Sequence, residues 1–158
     1  MISICSASPG ETRDLASRLA SLLQGGDVLV LQGDLGAGKS EFTRGLAKGL
    51  GISGPIPSPS FTILNVYEDG RLPLYHYDFY RLESSEELYE MGLEEYLEMQ
   101  GVSVIEWPEK CPDAIPSCHL LIRIRHQEGD RREIHVSEQG GFHPVSTLLS
   151  HDQERRLP

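Results

Sequence analysis

Apolar residues alternate along this chain between helical and extended spacing. Leu15, Leu19, Leu22 and Leu23, with Ala16 and Ala20, recur on one helical face. Ser8-Pro9-Gly10-Glu11 marks the start of that helix: Ser8 as cap, Pro9 where a missing N–H costs nothing, and Glu11 closing a capping box. Gly25-Gly26 stops it, and Val28-Leu29-Val30-Leu31 then reads as a strand covered on both faces. After a glycine-rich turn, Phe42, Leu46, Ala47 and Leu50 predict a second amphipathic helix from Lys39 to Leu50, with Gly51 as its stop.

Pro55, Pro57 and Pro59 exclude regular structure between Ile52 and Ser60, because each removes a donor and restricts the residue before it. Thr62–Glu68 and Leu72–Tyr80 form a predicted hairpin around Asp69-Gly70. Ser84 to Met99 reads as an acidic helix, with Ser84 and Glu87 as a second capping box and Gly92 as an interruption. Val102–Ile105 is another buried-strand pattern, ended abruptly by Glu106-Trp107-Pro108. His119–His126 and Glu133–Ser137 alternate as two further strands, and the segment beyond Gly140, with Arg155 and Arg156, reads as a polar tail. Early βα units followed by hairpins predict an α/β domain over residues 1–140 with a mixed sheet, and a tail over 141–158.

Composition narrows the functional classes. The 158 residues suit one domain, and the net charge of −10 argues against a chain that grips RNA or DNA through its own phosphate contacts. Seven glutamates between Glu83 and Glu98, with no basic residue among them, read as a solvated helix face or as an acidic docking surface. The three cysteines (Cys5, Cys111 and Cys118) have neither disulfide-framework nor zinc spacing. No apolar run reaches the length of a membrane span, and Met1–Ala7 has no basic residue ahead of its short apolar stretch, so a cytoplasmic protein without a secretory signal is expected.

Gly33-Asp34-Leu35-Gly36-Ala37-Gly38-Lys39-Ser40 is a full match to G-x-x-x-x-G-K-[ST], placed between a predicted buried strand and an amphipathic helix. Gly36 and Gly38 let backbone N–H groups wrap a phosphate, and the following helix adds the positive end of its dipole. Lys39 is then the expected bridge to the outer phosphates, and the Ser40 hydroxyl a Mg²⁺ ligand. Mg²⁺ usually takes a carboxylate as well; Glu106 and Asp78 both end strand patterns, with Glu106 the cleaner case. His76, alone in an aromatic strand, reads more readily as a packed or hydrogen-bonded histidine than as a base. The only asparagine is Asn65, so the N-K-x-D signature of guanine recognition is absent and adenine is favoured. A small-molecule kinase is the rival reading, although Arg123, Arg125, Arg131 and Arg132 fall on predicted strands and a hairpin rather than in a lid. A nucleotide-binding module without turnover is a third.

Several segments resemble one family together: Gly33–Ser40, Ser58-Pro59-Ser60-Phe61-Thr62, His76-Tyr77-Asp78-Phe79-Tyr80-Arg81, Glu86-Glu87-Leu88 with Met91-Gly92, and Glu106-Trp107-Pro108-Glu109. In order and spacing, over about residues 1 to 137, they are similar to the TsaE family, P-loop ATPases of bacterial tRNA threonylcarbamoyladenosine biosynthesis. The resemblance implies a three-layer α/β/α P-loop NTPase fold and ATP binding with weak hydrolysis. It also implies joint work with the TsaD and TsaB proteins on adenosine 37 of tRNAs reading codons that begin with A. By the same resemblance, Leu35, Gly36, Ala37, Gly38, Lys39 and Ser40 contact ATP, and Pro9 to Thr12 approaches the adenine. Ser40 and Glu106 match Mg²⁺ positions, Asp78 matches a family acid near the nucleotide, and Ser58–Thr62 matches a switch-like loop; Lys39 and Asp78 are the expected catalytic residues. Ser40 and Ser60 stand where threonine is frequent, and both keep the hydroxyl.

Overall fold

The structure, a computed structural model, describes residues 1–154. Its strands are β1 (Ile2–Ser6), β2 (Val28–Gln32), β3 (Leu64–Tyr67), β4 (Leu74–Asp78), β5 (Val102–Glu106), β6 (His119–His126) and β7 (Arg132–Gln139). They form one sheet in the order β1-β7-β6-β2-β5-β4-β3. β2 lies between β5 and β6, parallel to both, and β4 continues the parallel set beside β5. The β3–β4, β6–β7 and β1–β7 pairs are antiparallel, which gives the mixed sheet that the alternation of βα units and hairpins predicts.

The helices are α1 (Pro9–Ala20), α2 (Lys39–Gly49), α3 (Ser85–Glu90) and α4 (Ser146–Glu154). Strand side chains alternate between faces, so the two layers separate by parity. Leu29, Leu31, Leu74, Val102 and Val104 join Leu15, Leu19, Phe42 and Leu46 of α1 and α2 in one buried cluster. Val28, Tyr75, Tyr77 and Ile105 face the other way, toward Leu88 of α3 and the short turns around it. The architecture is α/β/α, with a thinner second layer.

Two features fix the first layer. Ser8 Oγ accepts from Glu11 N at 3.1 Å, while Glu11 Oε2 accepts from Ala7 N at 2.7 Å, a capping box shifted by one residue on its return leg. Close approach of α1 and α2 depends on small residues. A Cβ on Gly49 would stand 2.5 Å from the Ser17 carbonyl oxygen, and one on Gly45 would fall within contact distance of the Arg13 carbonyl.

Three sequence expectations are corrected. Ser84–Met99 is not one α-helix: it breaks at the expected interruption, Gly92 (φ 69°), with α3 ending at Glu90 and Leu93–Glu98 continuing as a 3-10 turn. Ser84 makes no side-chain cap; the Glu87 carboxylate instead accepts from Glu83 N at 3.5 Å. Residues beyond Gly140 do not all form a loose tail either. Phe142, Val145 and Leu149 are buried in the main cluster, and Glu138 caps α4 by accepting from Val145 N at 3.0 Å and Ser146 N at 2.7 Å. Leu149 of α4, with Phe142 and Val145 in the segment leading into it, suffices for docking despite the polar average. Arg155 and Arg156 lie outside the described residues. Finally, Ile2–Ser6, read only for what it lacks as a signal, is the edge strand beside β7.

Candidate functional site

β2, β4 and β5 are parallel and end together, and in such sheets ligands sit beyond the carboxyl ends of the strands. The loop leaving β2 turns through Gly36 (φ 80°) and Gly38 (φ 112°) and enters α2 at Lys39. Gly38 provides the cap position without a side-chain bond, so the first-turn N–H groups of α2 stay available to an outside acceptor. Arg132 of β7 reaches back to this loop: its Nε donates to the Ala37 carbonyl at 2.7 Å and its Nη2 to the Gly36 carbonyl at 3.4 Å. Carbonyl oxygens would repel an anion, and the guanidinium occupies two of them.

Asp78 and Glu106 are opposite one another in the β4–β5 register, and parity puts both on the α2 side of the sheet. Glu106 Oε2 accepts from His76 Nε2 at 2.7 Å, and the two side chains are only 7% and 3% exposed. Asp78 Oδ1 accepts from Tyr80 N at 2.8 Å. Burial pushes the Asp78 carboxyl above its ordinary range; the Tyr80 N–H works against this and the neighbouring Glu106 charge adds to it. Lys39 is buried, with Nζ 4.0 Å from the centroid of the Trp107 ring, a cation–π seat. Trp107 follows Glu106 with φ 56°, a left-handed conformation rare for a bulky residue, and it rests against Tyr80 with ring centroids 4.9 Å apart.

These groups surround a cavity of about 530 Å³. The glycine loop contributes Leu35, Gly36, Gly38, Lys39 and Ser40; the proline loop contributes Ser58, Ser60 and Phe61; the strand ends contribute Asp78 and Glu106. A ligand there would meet backbone N–H donors, the Lys39 ammonium, the guanidinium groups of Arg81 and Arg132, hydroxyl oxygens and the carboxylates of Glu41, Asp78 and Glu106. This donor set suits a phosphate chain accompanied by a hard cation.

Seven of the sequence-predicted residues therefore meet in one place: Leu35, Gly36, Gly38, Lys39, Ser40, Asp78 and Glu106. Ala37 does not line the cavity; it is buried and meets Arg132 through its carbonyl. Pro9 and Thr12 are not brought to it. The Thr12 hydroxyl is buried against Ser6 Oγ at 2.7 Å, and the start of α1 borders a separate recess of about 650 Å³ through Ser6, Ala7 and Glu11. Arg132 lines both spaces. Sequence reasoning missed Arg132, and no local signal marks it, because its partners are 95 and 96 positions away. Tyr80, two positions after Asp78, also escaped, whereas Trp107 reads from the sequence either as cover for a site or as packing, and it lines the cavity.

Comparison with known proteins bears on this geometry directly. The family model for the threonylcarbamoyl adenosine biosynthesis protein TsaE matches residues 6–134. The chain belongs to the TsaE family. Among its relatives, the tRNA threonylcarbamoyladenosine biosynthesis protein TsaE of Bacillus subtilis is 45% identical over 147 residues, covering 92% of each chain. The protein of the same name from a Nostoc species is 40% identical over 141 residues, covering 87% of this chain and 86% of its own. The fold is similar to the crystal structure of Bacillus subtilis YdiB, with a TM-score of 0.80 and 38% identity over 98% of this chain and 94% of that one. The TsaE match spans the whole lining of the cavity, from Leu35 to Arg132. Among the described residues no helix is long and apolar enough to cross a membrane.

Proposed function

We propose that this TsaE-family chain is an ATP-binding, slowly hydrolysing protein. In this reading it acts in the cytoplasm with TsaD and TsaB to form the threonylcarbamoyl group on adenosine 37 of tRNAs that read codons beginning with A. The observation that carries the nucleotide reading is the convergence of Lys39, Ser40, Asp78 and Glu106 on one cavity at the ends of parallel strands. The TsaE names of the relatives support the tRNA modification. In this reading ATP lays its phosphates along the N–H groups of Gly36–Ser40, and Lys39 exchanges the Trp107 ring for the outer phosphates.

The donors fit Mg²⁺. Ser40 and Glu106 present a hydroxyl and a carboxylate to the same cavity, and an all-oxygen set with few protein ligands is what this ion accepts beside phosphates. When bound, Mg²⁺ neutralises charge on the phosphates. Asp78 orients the attacking water, and its backbone N–H donates to the Ile63 carbonyl at 2.8 Å, which ties it to the exit of the Ser58–Thr62 loop. A partner that moves that loop thereby reaches Asp78. The chain's acidic balance leaves tRNA contact to the partner proteins.

Calorimetry with MgATP, followed by phosphate release with and without purified TsaD, TsaB and tRNA, tests the proposal. Micromolar or tighter MgATP binding and partner-stimulated release are expected. No nucleotide binding would refute it, and phosphate transfer to a small molecule would return the chain to the kinase reading.

A further inference from the structure

Asp78 and Glu106 are close to equivalent in sequence, each an acid at the end of a parallel strand, and the register places them side by side. Two adjacent carboxylates repel each other, and a glutamate at a strand end has three side-chain torsions through which to turn away. What distinguishes Glu106 is His76, one pleat behind Asp78 on the same face of β4 and diagonal to Glu106. Its side chain is 3% exposed, and its one hydrogen bond among the described residues goes from Nε2 to Glu106 Oε2.

His76 Nδ1 is buried and has no hydrogen-bond partner among the described residues. A hydrogen on Nδ1 would leave a buried N–H unpaired, whereas a bare lone pair there costs less, so the ring carries its hydrogen on Nε2 and donates. The histidine therefore has a single polar attachment, and that attachment is Glu106. With Oε2 held from behind, the other oxygen, Oε1, is left for the cavity that Glu106 lines. Asp78 is held instead by its own chain: its Oδ1 accepts from the backbone N–H of Tyr80, two residues on, and among the described residues no side chain is bonded to it.

We infer that His76 is a positioning residue that aims Glu106 Oε1 at the cation and so commits Glu106, rather than Asp78, to metal binding. This rests on the Mg²⁺ reading above. Histidine is suited to the task because its ring places a donor at fixed reach from a rigid strand. Partners of this kind typically alter metal affinity about 10- to 100-fold when removed.

The test compares His76→Gln, whose amide nitrogen reaches approximately where Nε2 stands, with His76→Asn, which is equally polar but too short, and with His76→Leu. ATP affinity is measured by calorimetry in excess Mg²⁺ and again in EDTA. His76→Asn and His76→Leu should each lose about tenfold or more in Mg²⁺ while matching the wild type in EDTA. His76→Gln should stay within about threefold of the wild type in both, since it keeps the donor. Equal losses in both buffers would make His76 a packing residue, and no loss at all would remove it from the site; either result overturns the inference. Glu106→Ala separates this failure from that of the Mg²⁺ reading: if it shows no Mg²⁺-selective loss, the metal assignment itself is wrong. Should the substitutions unfold the chain, ¹⁵N NMR of the wild-type ring decides alone. Hydrogen on Nε2 supports the inference, and hydrogen on Nδ1 alone overturns it.

Discussion

Lys39 holds a buried ammonium against an aromatic face, an arrangement that keeps the charge partly compensated while leaving it free to move. Its removal should weaken MgATP binding by about ten- to a hundredfold, since a charge-assisted contact is worth about 1.5–3 kcal/mol. Calorimetry on Lys39→Ala checks this, and unchanged affinity would refute the phosphate-cradle reading. Asp78 invites a different experiment. Burial raises its proton affinity in the folded chain, so folding binds the proton more tightly than unfolding does. Stability contributed by this group then falls as pH rises from the ordinary value of 3.8 through the raised folded value. Asp78→Asn keeps an oxygen for Tyr80 N and carries no charge. The nucleotide-free variant should melt above the wild type at neutral pH, with the gap closing in acid, while turnover falls several-fold at unchanged affinity. Thermal melts across that pH range, paired with phosphate release, test both parts.

At the scale of elements, α4 shows how little is needed to dock a short helix. Glu138 on β7 receives the Val145 and Ser146 N–H groups and the Ser146 hydroxyl, the last at 3.0 Å. Burial alone would raise the Glu138 carboxyl, but the bonds from Ser146 and Val145 prevail and hold it below its ordinary value of 4.5. Its contribution is therefore fully present above that value and fades as pH falls through the lower folded value. Glu138→Ala should cost about 1–2 kcal/mol at neutral pH by leaving helix-terminal donors without a partner, and less in acid. Chemical denaturation at the two pH values measures the difference. The acidic segment is a second case. Glu90 and Glu95 are exposed on α3 and the turn after it, whereas Glu94 has one buried oxygen, so a charge-reversal probe of docking uses the first two. If this surface meets the partner proteins, Glu90→Lys with Glu95→Lys should cut their stimulation of hydrolysis about tenfold while leaving basal turnover intact, since a like-charge contact costs kilocalories. Full stimulation would make it a solvated face.

For the whole molecule, a net charge of −10 sets the expectation for nucleic acid. Arg123, Arg125, Arg131 and Arg132 gather on the β6–β7 hairpin, but Arg132 is engaged with the glycine loop. Few basic groups remain to release counterions from a phosphate backbone, so the isolated chain should show no tight tRNA binding at physiological salt. Fluorescence anisotropy with labelled tRNA would show this, and tight binding would overturn the assignment of tRNA contact to the partners. The exposed apolar residues at the cavity mouth, Leu35 at 91% and Phe61 at 80%, leave that side of the cavity open. Slow basal hydrolysis is expected for a site left open on that side.

Much of this protein was legible residue by residue because the physics involved is local. A glycine loop between an apolar run and an amphipathic helix sets its own backbone, and strand parity alone places Asp78 and Glu106 on the α2 side once their strands are paired. Proline spacing ruled out structure in the Ile52–Ser60 loop, and the hairpin around Asp69-Gly70 formed, although through a six-residue loop between Tyr67 and Leu74 rather than a tight Asp-Gly turn. Family membership was legible for the same reason, since its motifs are contiguous. The tertiary structure decided what depends on distant neighbours. It brought Arg132 to carbonyls 95 positions away, turned His76 toward an acid 30 positions away, and gave Phe142 and Leu149 a surface to bury. It also kept Thr12 inside the start of α1 and out of the cavity. These outcomes turn on which strands are adjacent and how far a side chain reaches across them, and a linear pattern carries neither quantity.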